Sequence, residues 1–284
     1  MRFGVSVFLT DTSIEPAVAA REAEERGFDS LYMPEHTHIP VSRKTPAPMG
    51  EPLPEQYWHS LDPFVALTAA ALATSRLRVG TAICLIAQRD PFITAKEVAT
   101  LDVVSRGRLV LGVGFGWNVE EIEDHGVEYG KRRAVGREKV LAMKRLWEDD
   151  EASFEGEFVR FEASWAWPKP AQKPHPPVLI GGGAGPTLFS HIAEYGDGWM
   201  PIGARGVAAA LPRLREALEA AGRDPFSIEV VPVGSTPDAG KLEYFAKVGI
   251  TEAVFGLPHG GRDLVLTEMD RCAAVVREFL GVSA

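Results

Sequence analysis

Apolar runs of strand length alternate with helical patterns from one end of the chain to the other, and this alternation constrains the fold more than any other feature. The runs are Arg2–Leu9, Ser30–Glu35, Arg78–Leu85, Arg108–Gly116, Pro177–Gly182, Gly198–Ile202, Ile228–Gly234 and Ala253–Leu257. Several are apolar at consecutive positions, as parallel strands covered on both faces should be. Eight such units in 284 residues predict a (β/α)8 TIM barrel, with a doubly wound open sheet as the competitor.

The intervening segments carry helix signals. Asp62-Pro63 and Asp90-Pro91 each place a capping carboxylate before a proline at the first helical position. Phe64, Leu67, Thr68, Ala71 and Leu72 then share one helical face. Val265, Met269, Cys272, Val276, Phe279 and Leu280 form another stripe near the C-terminus, which makes Cys272 a core residue. Two stretches interrupt the alternation. Thr37–Ser60 holds Pro40, Pro46, Pro48, Pro52 and Pro54 and reads as a long loop. Ser153–Pro177 opens with Phe154-Glu155-Gly156-Glu157-Phe158, a hairpin signal, and continues rich in Trp and Pro. The expectation is a single domain over residues 1–284 with insertions at about 37–60 and 153–177.

Composition excludes several function classes. With 45% hydrophobic and 24% charged residues the chain builds a core rather than remaining disordered. A net charge of −9 argues against a nucleic-acid partner. The densest basic run, Lys131-Arg132-Arg133, lies among acidic residues and reads as a solvated helix surface. No lysine-rich amphipathic stretch suits a membrane surface, and the longest apolar run, Val65–Ala73, is far short of a span. Met1–Val5 lacks a signal pattern, so a cytoplasmic protein is expected. Cys84 and Cys272 cannot make a disulfide framework or a four-cysteine zinc site.

In a barrel, chemistry sits at the C-terminal ends of the strands. Glu35-His36-Thr37-His38 is the most polar string there. A Glu-His pair can orient a reactive group or move a proton, or it can simply cap the barrel by hydrogen bonding. His36 and His38 also spell a His-x-His, but the other histidines are scattered and supply no further ligands, so no metal is expected. Leu111–Asn118 reads Gly-x-Gly-x-Gly within a strand, which does not match a dinucleotide fingerprint. Glycines inside a strand mark close approach to a ligand or tight packing of the interior. Gly181, Gly182, Gly183 and Ala184 leave a strand and enter a helix, where bare amides and the helix dipole can receive a phosphate. Cys84 reads as buried. Trp58, Trp117, Trp165, Trp167 and Trp199 lie near strand ends or the insertions, where they can wall a pocket for a flat ring or fill the barrel top.

Taken in order, several strings resemble the luciferase-like monooxygenase superfamily, and most closely its coenzyme F420-dependent branch. They are Glu35-His36, Val79–Ile83, Ala99–Arg108, Leu111–Asn118, Gly181–Ala184 and Tyr195–Trp199, and they cover roughly Met1 to Ile202. The resemblance implies a barrel holding a deazaflavin or flavin ring at the strand C-termini. It places a non-proline cis peptide at Ala82-Ile83 as a bulge behind the ring. Glu35 and His36 match positions near the ring's polar edge, Gly114 and Asn118 lie in a cofactor-contacting string, and Gly181 to Ala184 match the phosphate-binding backbone. Phe115 stands where sugar-phosphate-oxidising relatives carry an acid, which implies an apolar substrate. The implied activity is hydride transfer between coenzyme F420 and an apolar small organic substrate. His36 would be the proton-transfer residue, Glu35 its orienter, and Trp58, Phe115 and Trp117 would shape the pocket. A homodimer is implied. The alternatives are a monooxygenase using flavin mononucleotide (FMN), a metal-dependent hydrolase using His36 and His38, and a non-catalytic ligand-binding barrel.

Overall fold

The computed structural model describes residues 1–282. The barrel wall is built from β1 (Arg2–Ser6), β2 (Ser30–Met33), β3 (Arg78–Leu85), β4 (Leu109–Gly114), β7 (Val178–Gly181), β8 (Gly198–Met200), the pair β9 (Glu229–Val230) and β10 (Val233–Ser235), and β11 (Glu252–Gly256). Its strands pair in parallel in the order β10-β11-β1-β2-β3-β4-β7-β8-β9. β9 and β10 are halves of one run, divided because Pro232 has no N–H to give the ladder. The run still bridges both neighbours: Val231 and Val233 donate to the carbonyls of Trp199 and Pro201 at 2.9 Å, and Val254 donates to Pro232 at 3.2 Å. The sheet therefore closes into a (β/α)8 barrel, and the open-sheet alternative falls.

Helices α1 (Pro16–Glu25), α2 (Pro63–Leu72), α3 (Pro91–Ser105), α4 (Val119–Asp124), α5 (Arg132–Glu148), α6 (Pro186–Tyr195), α7 (Val207–Ala220), α8 (Ala239–Val248) and α9 (Arg262–Leu280) surround the wall. Asp62 accepts from the N–H of Val65, and Asp90 from Phe92 and Ile93, so both predicted caps form. Most apolar side chains fill the shell between wall and helices, Cys84 and Cys272 among them, whereas Leu72 and Leu280 face outward. A smaller cluster of Tyr32, Val110, Leu179, Met200, Val231 and Val254 fills the barrel interior. The basic run is only partly solvated. Lys131 is exposed, but Arg132 lies over the Tyr129 ring and Arg133 over Phe115, at 3.7 and 4.9 Å.

The barrel floor is ionic. Fully buried Glu252 accepts from Arg2 and Arg78 at 3.0 Å and from Ser30, and Glu229 takes the remaining guanidinium contacts. This ionic cluster closes the barrel at the strand N-termini.

The long loop after β2 carries a single 3-10 turn at Glu55–Tyr57. In the second insertion, β5 (Ala152–Glu155) and β6 (Arg160–Ser164) form the predicted hairpin. Glu138 of α5 pins its turn by accepting from the N–H groups of Glu157, Phe158 and Val159 at 3.1, 2.7 and 3.1 Å.

Two glycines separate packing from freedom. A Cβ at Gly112 would lie 2.2 Å from the carbonyl oxygen of Thr81, whereas one at Gly183 would meet nothing within 4 Å. Gly112→Ala should therefore cost about 1–3 kcal/mol in urea denaturation, with Gly183→Ala near neutral; equal stability of the two variants contradicts this packing.

Candidate active site

The mouth is organised by the end of β3. Its ladder with β4 pairs Thr81 with Leu111 and then Cys84 with Val113, so Ala82 and Ile83 bulge between them. The peptide joining Ala82 and Ile83 is cis. The Ile83 side chain crosses the strands beside it: a Cβ at Gly114 would lie 2.1 Å from Ile83 Cδ1, and one at Gly181 2.7 Å from Ile83 Cγ2. The glycines at both positions are thus explained by packing against the bulge. Ala82 and Ile83 are only half-buried, which leaves apolar surface at the centre of the mouth.

Beside the bulge stands the end of β2. Glu35 is buried, and both its oxygens are taken: Leu85 N–H donates at 2.7 Å and Arg89 Nε at 2.6 Å. Arg89 also reaches Asp62 and Glu97, so Glu35 ties β2, β3 and the starts of α2 and α3 together. It does not touch His36 through any hydrogen bond, and among the described residues it acts as a brace for the mouth. Burial pushes the neighbouring Cys84 thiol well above its ordinary range, which leaves it inert.

His36 takes its partner from elsewhere. Its Nδ1 lies 2.9 Å from Glu121 Oε2, at hydrogen-bond distance. Glu121 is 1% exposed, and its other oxygen accepts from Thr37 N–H at 3.3 Å. Rings wall the imidazole: Tyr57 at 5.1 Å, Trp117 at 5.8 Å, and Phe8 beyond Tyr57 at 4.9 Å. Burial raises the Tyr57 hydroxyl above its ordinary value, so it stays neutral and can donate. His36 Nε2 has no partner among the described residues.

Past the end of β7 lies a run of exposed backbone amides. Gly183 and Ala184 are exposed, and α6 begins without a side-chain cap. The N–H groups of Gly183, Ala184, Thr187 and Leu188 find no acceptor among the described residues. Trp199 fixes the turn by donating Nε1 to the Gly182 carbonyl at 2.9 Å. Asn118 caps α4 through its Oδ1, while its buried Nδ2 has no partner. Orphaned donors of this kind suit a ligand rich in acceptors.

The remaining predicted positions separate. Trp117 joins the His36 wall, but Trp58 is 51% exposed beside His59. Phe115 is buried against Gly136 and His191 and covered by Arg133, a wedge between α5 and α6 rather than an open pocket wall. His38 bonds Asp124 at 3.1 Å and reaches Thr37, which also meets His125. Among the described residues no cluster of three such side chains could hold a metal. Sequence reasoning missed Glu121, Tyr57 and Arg89. Asn118-Val119-Glu120-Glu121 has the spacing of a capping box, which could have flagged Glu121; here the carboxylate reaches His36 instead.

A bulged third strand, a histidine just past the second and bare amides after β7 thus meet at one end of a parallel barrel. Comparison with known proteins identifies the family. The family model of luciferase-like monooxygenases matches residues 5–236, and the chain belongs to that family. A protein of Mycobacterium tuberculosis without an assigned function is 45% identical over 279 residues, covering 96% of this chain and 98% of that one. An F420-dependent glucose-6-phosphate dehydrogenase of Kineococcus radiotolerans is 32% identical over 218 residues, 74% of this chain and 60% of that one. The structure of an F420-dependent secondary alcohol dehydrogenase with an F420–acetone adduct superposes with a TM-score of 0.77 at 21% identity, over 98% of this chain and 99% of that one.

Removing the brace tests its role. Glu35→Ala leaves part of the Arg89 guanidinium and the Leu85 N–H unpaired, and should cost about 1–3 kcal/mol in thermal or urea unfolding. His36→Ala should be far milder; the reverse ranking contradicts a structural Glu35.

Proposed function

We propose that the protein is an oxidoreductase that moves hydride between a bound deazaflavin, coenzyme F420, and an apolar small organic substrate. One observation carries this reading: the Ile83 bulge, the free edge of His36 and the unpaired amides of Gly183–Leu188 share the same barrel mouth. The F420-dependent relative at 32% identity supports the choice of cofactor.

When bound, the deazaflavin supplies a ring carbon that accepts or donates hydride and protects it from oxygen. The apolar surface of Ala82 and Ile83 would support the ring. The amides of Gly183, Ala184, Thr187 and Leu188, with the α6 dipole, would hold the phosphate of the tail. Asn118 Nδ2 would donate to a ring or tail oxygen. His36 Nε2 would exchange the proton that accompanies the hydride with a heteroatom of the substrate. Phe8, Tyr57 and Trp117 would enclose that substrate and exclude water, and their rings favour an apolar molecule.

Outward-facing apolar residues on α2 and α3, Val65, Leu72, Phe92, Ile93, Val103 and Val104, support assembly as a homodimer through these helices. The two free cysteines fit a reducing compartment such as the cytoplasm.

Fluorescence titration with each cofactor tests the reading. Coenzyme F420 should bind and FMN should not; tight FMN binding without F420 binding overturns it. His36→Ala should lower turnover by about 10^2–10^4-fold with cofactor affinity little changed. In light scattering, the double variant Val65→Asp, Ile93→Asp should be monomeric where the parent is dimeric; a monomeric parent sinks the dimer.

A further inference from the structure

Among the described residues, Glu121 is the only charged side chain within hydrogen-bond reach of the His36 ring. Tyr57 and Trp117 cover it with rings, and Glu35, its sequence neighbour, is committed to Leu85 and Arg89. At the exposed rim Thr37 Oγ1 links His38 and His125, and His38 Nε2 bonds Asp124. Burial, followed by the nearby His38, holds His125 below its ordinary pKa.

We infer that Glu121 is a positioning residue that fixes the tautomer of His36. An ionised carboxylate only accepts hydrogen bonds, so the proton must sit on Nδ1. In the neutral imidazole the lone pair then lies on Nε2, the edge turned away from Glu121 and free of partners among the described residues. The Thr37 N–H holds the second Glu121 oxygen, while Asn118 Oδ1 accepts from the Glu121 N–H at 3.4 Å and fixes the backbone that carries the carboxylate. Carboxylate-oriented histidines act as proton acceptors by this logic. This role deepens the oxidoreductase reading and rests on it for its chemistry, but the tautomer itself is independent of any cofactor.

The test uses the full-length protein with 15N-labelled histidine, and reads the His36 ring nitrogens by NMR above the imidazole titration. Wild type should show Nδ1–H. Glu121→Met, which keeps the volume and removes the acceptor, should shift His36 toward Nε2–H. Glu121→Gln, which keeps an acceptor oxygen, should retain Nδ1–H in part. With F420 and a turned-over substrate, Glu121→Met should lower kcat about 10–100-fold with the cofactor Kd within about twofold, and Glu121→Gln should recover part of it. Nε2–H in wild type, or an unchanged tautomer in Glu121→Met, overturns the inference. If Glu121→Met does not fold, the wild-type tautomer decides alone. Failure of F420 to bind would sink the proposed function and leave the NMR result standing.

Discussion

The mouth of this barrel depends on one steric exchange. Ile83 leans across β4 and β7 into space that side chains at Gly114 and Gly181 would otherwise occupy. Because the bulge fills that space, the strand ends present a half-buried apolar floor instead of a closed core. Close-packed interiors leave little room to relax, so the arrangement is fixed by volume rather than by hydrogen bonds. Glu35 secures it from the side by binding the Leu85 N–H directly after the bulge. The glycines, the bulge and the buried carboxylate therefore form one mechanical unit.

Buried polar groups divide their work between the two ends. At the floor, Arg2, Arg78, Glu229 and Glu252 satisfy one another and close the barrel. At the mouth, Asn118 Nδ2 and the N–H groups of Gly183, Ala184, Thr187 and Leu188 find no partner among the described residues. The proposed ligand would supply acceptors for these donors. His36 lies between these regimes, with one nitrogen paired with Glu121 and the other without a partner among the described residues.

Much of the fold was legible because strand apolarity and Asp-Pro caps are local signals. All of the predicted strand runs contain strands, and only the run around Pro232 is split, as proline dictates. The bulge at Ala82-Ile83 was legible through resemblance, and the glycine run leading into α6 through its composition. Partners distant in sequence were not. His36 and Glu121 are 85 residues apart, and nothing local distinguishes Glu121 from Glu120 except its place three residues after the cap. Glu35 drew attention for its polarity, yet its geometry is that of a brace; type and position could not say which way the carboxylate turned. Phe115 was likewise assigned to the pocket by position, while its ring packs between α5 and α6 because Gly136 makes room for it.

A crystal structure with coenzyme F420 tests the central claim most directly. The ring should lie on Ala82 and Ile83 with its polar edge toward His36, and the tail phosphate should accept from the amides between Gly183 and Leu188. A ring bound elsewhere, for instance in the apolar cavity of about 210 Å³ beneath Trp165 and Ala166, with those amides left bare, would contradict the account.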